Sequence, residues 1–97
     1  MFPNVGSITK AVATAGTKVQ FVSAVGTKAR RVYITAWKAN TKPITIGDTN
    51  VVGAVAGRRG VSIEPGATLL IEGLSDLFAL FMDSEINGEG AGVMYQW

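Results

Sequence analysis

The sequence predicts a small all-β protein, either an antiparallel β-sandwich or a jelly-roll-like barrel of about eight short strands. Its 97 residues provide enough chain for one hydrophobic core, so we expect a single domain over residues 1–97. Apolar residues make up 47% of the chain and charged residues only 16%, a balance far from that of disordered proteins. Apolar and polar residues alternate with a period of two, and Gly, Pro, Asn and Asp interrupt the alternation at regular intervals.

The alternation defines eight candidate strands, and a helix is hard to place anywhere in the chain. The candidate strands cover residues 7–14, 18–23, 29–38, 43–46, 60–64, 67–72, 77–83 and 91–97. The third run has a core side and a second, aromatic side that carries Tyr33 and Trp37. Residues 77–82 are apolar on both sides, which is typical of a central strand or of a strand whose outer face another subunit buries.

Two turns have strong local signals. In Glu64-Pro65-Gly66-Ala67, proline fixes the first central dihedral and glycine supplies the positive φ of a type II turn, so we expect a hairpin there. Asn87-Gly88 is a strong hairpin signal and separates the last two apolar runs, which we therefore expect to pair.

Charge is divided unevenly along the chain. Residues 1–59 hold nine basic side chains and one acidic side chain, a net charge of +8, whereas residues 60–97 hold six acidic and no basic side chains, a net charge of −6. One interpretation is head-to-tail contact between subunits. The other is that the two halves interleave in the sheets and pair opposite charges within one chain.

The residue types argue against an enzyme. The chain has no cysteine and no histidine, so thiolate sites and the usual proton-shuttling side chain are absent. No serine lies in a nucleophile motif, and the Gly-Thr-Lys triplets at 16–18 and 26–28 reverse the order of a phosphate-binding loop. We therefore expect no catalytic residues, no cofactor-binding residues and no metal site.

The sequence does not favour nucleic acid or calcium as a ligand. Arg30-Arg31 and Arg58-Arg59 form a thin basic footprint for a chain of net charge +2. The acidic stretch at 83–89 begins like a calcium loop but has Met94 in place of the bidentate glutamate. The Asn-Gly turn explains this acidic stretch more simply than calcium binding does. Because the basic footprint is thin, we expect no nucleic-acid partner. Because no apolar run is long enough to span a membrane, we expect no membrane partner.

The order of strands and turns from residue 30 to residue 97 resembles that of small virion proteins of tailed bacteriophages. The resemblance rests on the strand at 31–36, the turn Gly47-Asp48-Thr49-Asn50-Val51, the Pro65-Gly66 turn, and the segments 74–79 and 88–92. Residues 1–29 lie outside it, and the loop at 52–59 departs from it because it is longer and more basic.

This resemblance implies a structural role in a virion, most simply as a capsid decoration or cement protein on the outside of the shell. The implied partners are other copies of the chain, in a homotrimer by preference or in another symmetric oligomer, and the major capsid protein or other virion proteins. The alternative is a tail or head-fibre subunit that recognises a host surface, which exposed aromatic residues near the 52–59 loop and glycan binding would favour.

We expect the interface of such a subunit to use aromatic anchors, a basic loop tip and the N-terminal residues 1–6, read either as an arm that docks on a neighbour or as a frayed end. The candidate interface residues are Phe2, Pro3, Trp37, Arg58, Arg59, Phe78, Phe81 and Trp97.

Overall fold

The computed structural model describes residues 4–23 and 25–97, and these residues form an all-β protein. The strands are β1 Val5–Val12, β2 Val19–Gln20, β3 Arg31–Ala36, β4 Ile44–Gly47, β5 Val61–Ile63, β6 Thr68–Glu72, β7 Phe81–Ser84 and β8 Glu89–Gln96. Each strand overlaps one of the eight predicted runs, so the predicted fold class is confirmed. The seventh run differs because a 3₁₀ turn, Leu77–Ala79, precedes β7.

The eight strands form two four-stranded antiparallel sheets. Sheet 1 has the order β1-β8-β3-β6, and sheet 2 has the order β2-β7-β4-β5. The first strand therefore pairs with the eighth, the second with the seventh, the third with the sixth and the fourth with the fifth. This nested pairing of the two halves of the chain is the jelly-roll arrangement.

The core lies between the two sheets. Ile34 and Val93 from sheet 1 face Ile44 and Met82 from sheet 2, and all four side chains are buried. Neighbouring residues on each strand point away from this core, because successive side chains alternate between the two faces of a sheet.

Both predicted hairpins are wrong, although both turns form. The Ala67 N–H donates to the Glu64 carbonyl at 2.9 Å, and Gly66 has the expected positive φ of 82°. However, the strands on either side of this turn lie in different sheets, and so do the strands on either side of Asn87-Gly88. Each turn reverses the direction of the chain. In a jelly roll, however, the strand after the turn joins the opposite sheet and pairs with strands there, not with the strand before the turn.

The fold explains the uneven charge. The boundary at residue 60 falls between β4 and β5, which is the midpoint of the nested pairing, so the basic half of the chain pairs with the acidic half. Arg31 on β3 contacts Glu72 on β6 at 2.9 Å, and Arg58 contacts Glu85 at 3.0 Å. Interleaving within one chain therefore accounts for the asymmetry.

Within the described residues, none of the helical structure has the length and apolar character needed to cross a bilayer.

Candidate functional site: an open sheet face and an aromatic pocket

The centre of the outer surface of sheet 2 is covered by the chain itself. Thr45 and Asp83 point away from the core, yet they are only 0% and 2% exposed. Residues 48–60, which connect β4 to β5 and are called the covering loop here, lie over them. Val51 in this loop is buried against Gly47, since a Cβ added to Gly47 would lie 3.2 Å from the Val51 Cβ.

Asp83 holds the covering loop in place through its carboxylate. The Gly53 N–H donates to Oδ2 at 2.8 Å, and the Ser84 and Gly16 N–H groups donate to Oδ1 at 2.8 and 3.1 Å. A Cβ at Gly53 would lie 2.7 Å from the Ser84 nitrogen, so only glycine lets the loop backbone rest this closely on β7. The apolar seventh run therefore ends in a central strand whose outer face is buried by its own chain.

The outer surface of sheet 1 has no such cover among the described residues. We call it the open face, and it consists of three rows that cross β1, β8, β3 and β6 in that order. The rows are Val5, Gln96, Arg31 and Glu72; Ser7, Met94, Tyr33 and Leu70; and Thr9, Gly92, Thr35 and Thr68.

The open face is flat, poor in charge and partly apolar. Val5, Leu70 and Met94 are 59%, 45% and 41% exposed. Its only charged side chains are Arg31 and Glu72, which pair with each other in the outermost row. These exposed apolar side chains make the open face a candidate contact surface.

An aromatic pair lies at the end of β8. The Tyr95 and Trp97 rings stack with centroids 5.5 Å apart and an angle of 21° between their planes. Gly6 on β1 makes room for the pair, because a Cβ there would lie 2.5 Å from the Tyr95 ring. Backbone hydrogen bonds of 3.0 and 3.1 Å between Asn4 and Trp97 extend the β1–β8 ladder to this point.

Residues 26–28 form the opposite wall of a pocket beside this pair. The pocket has a volume of about 390 Å³ and is lined by Gly26, Thr27, Lys28, Tyr95 and Trp97. We call it the aromatic pocket.

Asp76 fixes the wall formed by residues 26–28. The Gly26 N–H donates to Asp76 Oδ2 at 2.7 Å, and the Leu77 N–H donates to the Thr27 carbonyl at 2.9 Å. The N–H groups of Gly26, Phe78 and Thr27 lower the pKa of Asp76 against a smaller opposing effect of burial. The carboxylate is therefore ionised at neutral pH, and it accepts the hydrogen bond that fixes the backbone at Gly26.

A second buried carboxylate fastens the crossing from β3 to β4. Glu89 accepts hydrogen bonds from the Thr41 N–H, from the Thr41 hydroxyl at 2.8 Å and from the Lys42 N–H at 3.2 Å. Burial raises the pKa of Glu89, but these hydrogen bonds and the charge of Lys42 outweigh it, so the pKa lies below its ordinary value.

The side-chain oxygens of the acidic stretch at 83–89 therefore bind three separate segments of the chain and do not converge on one site. Asp83 binds the covering loop, Glu89 binds residues 41–42, and Asn87 Oδ1 accepts a hydrogen bond from the Ala15 N–H at 2.7 Å. The part of the chain that the structure describes contains no cluster of three or more potential metal ligands.

The predicted interface residues that the structure describes are spread over the molecule and do not form one cluster. Phe2 and Pro3 lie outside the described residues, and the described part of the predicted arm, residues 4–6, pairs with β8 of its own chain. Trp37 directly follows β3 and is half-buried, and its backbone N–H donates to the Gly90 carbonyl. Trp97 lies in the aromatic pocket.

The remaining four predicted residues lie on the side of sheet 2. Arg58 is half-buried, pairs with Glu85 and donates to the Gly53 carbonyl, whereas Arg59 is exposed. Phe78 lies in the 3₁₀ turn and Phe81 on β7, and both are half-buried. Arg58 is thus committed within the chain, which leaves Arg59 as the exposed cation of the pair.

Sequence reasoning missed Tyr95, Lys28, Leu70 and Met94. Tyr95 had a usable signal, because residues two apart on a strand share a face and Trp97 was already a candidate. Leu70 and Met94 become neighbours of Tyr33 only through the pairing of β8, β3 and β6, which the sequence did not predict.

No protein-family model, curated protein or solved structure matches this chain.

Proposed function

We propose that this chain is a structural, non-enzymatic subunit of a tailed-phage virion, of the capsid decoration or cement type, and that copies of it associate through the open face. The observation that carries the proposal is the contrast between a covered sheet 2 and an uncovered, charge-poor sheet 1 in the same small domain. The virion assignment rests on the resemblance of residues 30–97, and the fold adds an analogy, since jelly rolls are common among viral capsid and lectin domains.

A second copy of this chain suits the open face because the face is electrically neutral. Arg31 and Glu72 cancel each other, so two such faces meet without like-charge repulsion. Association through the edge of the sheet is less favourable. Lys10 on the edge strand β1 lies in register with buried Ala91 and Ala36, and an inward-pointing charge on an edge strand disfavours addition of another strand.

The size of the open face limits its affinity. Four strands about 4.8 Å apart and a length of about 20 Å give a face of roughly 400 Å², about half of what a stable interface buries per partner. Single contacts should therefore be weak, and binding to a shell would gain its strength from several copies acting together. Two open faces that meet each other close a dimer, so the symmetric oligomer that this contact supports is a dimer in place of the trimer expected from the resemblance. We place its site of action on the capsid exterior, where it would also contact the major capsid protein.

The first test is analytical ultracentrifugation of the full chain across about 5–500 µM. We expect concentration-dependent self-association that Leu70→Glu together with Met94→Glu reduces at least tenfold, because both substitutions place charge in the middle row of the open face. Val55→Glu is the matched control, since Val55 is 70% exposed on the covering loop. A wild-type chain that stays monomeric, or equal effects of the two variants, would count against the open face.

The second test mixes the chain with undecorated capsids and measures saturable binding and the heat resistance of the shells. The expected result is saturation at a fixed ratio to the capsid protein, with weaker binding by the open-face double variant. A folded chain that ignores capsids would overturn the cement assignment even if self-association is observed.

The alternative, a tail or head-fibre subunit that recognises a host surface, gains support from one feature. The stacked Tyr95 and Trp97 rings border a pocket, although this pocket lies beside residues 26–28 and not at the 52–59 loop.

A further inference from the structure

We propose that the aromatic pocket binds a saccharide, specifically a pyranose ring that carries one carboxylate. The inference goes beyond the proposed cement role, because the aromatic pocket shares no residue with the open face. Its volume of about 390 Å³ lies within the range of small-ligand sites and has room for one or two sugar rings.

The aromatic pair supplies the surface on which a sugar stacks. A pyranose presents one flat side of C–H bonds with partial positive charge, and the faces of Trp and Tyr carry the complementary negative potential. The Tyr95 and Trp97 rings stack on each other nearly parallel, at 21°, so each ring covers part of the other and a sugar would stack on the ring face that borders the pocket. Because Gly6 and the Asn4–Trp97 ladder hold the stacked rings, little ordering is required when a ligand binds.

Lys28 supplies the charge that selects the ligand. Among the residues that the structure describes, it is the only charged one that lines the pocket, its side chain is exposed, and no ion pair joins it to another of them. The Lys28 backbone is held by its β-bridge to Asp76, so the side chain extends from a fixed position on the pocket wall. A single cation beside an aromatic platform suits a single carboxylate on a sugar.

A nucleotide fits the same pocket less well. Phosphate sites usually gather several free N–H groups, but here the Gly26 N–H already bonds Asp76 and the Arg30 N–H bonds the Gln96 carbonyl at 2.8 Å. The ionised Asp76 behind the wall adds a negative charge that repels a phosphate dianion more strongly than a carboxylate.

The test is saturation-transfer NMR followed by titration of the full chain, with methyl glucuronide and sialyllactose as acidic probes. Methyl glucoside and lactose are the matched neutral probes, and adenosine monophosphate is the nucleotide probe. We expect millimolar binding of the acidic sugars, at least fivefold weaker binding of the neutral ones, and no saturable binding of the nucleotide.

Variants tie the binding to the pocket. Trp97→Leu should abolish binding, and Lys28→Gln should weaken the acidic sugars about fivefold to the level of the neutral ones. Lys18→Gln is the matched control, because Lys18 is exposed and ends the other Gly-Thr-Lys triplet, outside the pocket. Circular dichroism of each variant identifies any that fails to fold, in which case Trp97→Phe, with its smaller stacking surface, should weaken binding.

Three outcomes would overturn the proposal: no saturable binding of either acidic sugar, equal binding of acidic and neutral sugars with no effect of Lys28→Gln, or binding of the nucleotide alone. The open-face double variant separates this test from the cement proposal, since it should retain sugar binding while losing self-association.

Discussion

The two outer surfaces of this jelly roll differ in what lies on them. On sheet 2 the covering loop buries Thr45 and Asp83 and brings Gly53 into contact with the backbone of β7. On sheet 1 the equivalent surface presents Leu70 and Met94 to solvent, and an added Cβ at Gly92 would meet nothing within 4 Å.

The covered side is held by contacts within the chain, whereas the open side leaves its apolar side chains exposed. The covered side depends on hydrogen bonds to the buried Asp83 carboxylate and on a glycine that no larger residue can replace without movement. The open side depends on neither, since its rows hold mostly Ser, Thr and exposed apolar residues. Substitutions on the covered side should therefore change folding stability, and substitutions on the open side should mainly change association.

The largest expected effect is that of Asp83→Ala. It removes an acceptor of the Gly16, Gly53 and Ser84 N–H groups and leaves the buried Gly53 N–H without its partner, whereas the exposed Gly16 N–H keeps the Ser84 carbonyl. We expect the free energy of unfolding to fall by about 3 kcal/mol, measured by urea denaturation at pH 7.

Asp48→Ala is the control for Asp83→Ala. Asp48 is exposed and accepts one hydrogen bond, from the Asn50 N–H at 2.9 Å, so its loss should cost about 0.5 kcal/mol. Equal effects of the two substitutions would mean that Asp83 does not hold the loop.

A pair of glycine substitutions compares the two surfaces directly. Gly53→Ala forces its Cβ against the Ser84 backbone and should destabilise the protein by about 2 kcal/mol, whereas Gly92→Ala meets open space and should change stability by less than about 0.5 kcal/mol. Neither glycine has a positive φ, so the difference isolates the close approach of the loop. Similar unfolding midpoints for the two variants in urea would contradict the proposed role of Gly53.

Much of the fold, but less of its surfaces, could be predicted from the sequence. The eight strands were found because alternation is a local signal, and the turn at Pro65-Gly66 was found because its residues fix their own dihedrals. The partner strands were not found, because pairing β5 with β4 and β6 with β3 depends on packing across the core.

The surfaces were harder to predict for the same reason. The covered and open faces depend on where residues 48–60 lie, and no local pattern in these residues indicates that they fold back over β7. Trp97 was singled out as an aromatic residue, but its partners Tyr95 and Lys28 join it only through the β1–β8 ladder and the position of Asp76.

Glu89, at the start of β8, makes the free energy of unfolding depend on pH. The pKa of Glu89 is lower in the folded state than its ordinary value of 4.5, so its contribution is present above pH 4.5 and is lost as pH falls through the folded pKa. Glu89→Gln should therefore cost about 1–2 kcal/mol at pH 7 and progressively less below pH 4.5.

Urea unfolding of the wild type and of Glu89→Gln at pH 7, 4.5 and 3 measures this convergence. Glu64→Gln is the matched control, because the Glu64 side chain is exposed. A constant difference between the Glu89 variant and the wild type at all three pH values would show that ionisation of Glu89 does not contribute.

The smallest expected effect separates the two ion pairs, one on each side of the sandwich. Glu85 pairs with Arg58, whose guanidinium also donates to the Gly53 carbonyl, and both side chains are about one-quarter exposed, at 27% for Arg58 and 24% for Glu85. Glu72 is 59% exposed in its pair with Arg31 on the open face, where solvent screens the charges. Glu85→Gln should therefore lower the free energy of unfolding by about 0.5–1 kcal/mol, while Glu72→Gln should leave it unchanged within error. Because Glu72→Gln also removes the negative charge beside Arg31, it should weaken self-association at low salt, and 0.5 M NaCl should restore the association. A stability loss for Glu72→Gln as large as that for Glu85→Gln would show that the open face contributes to folding in the way the covered face does.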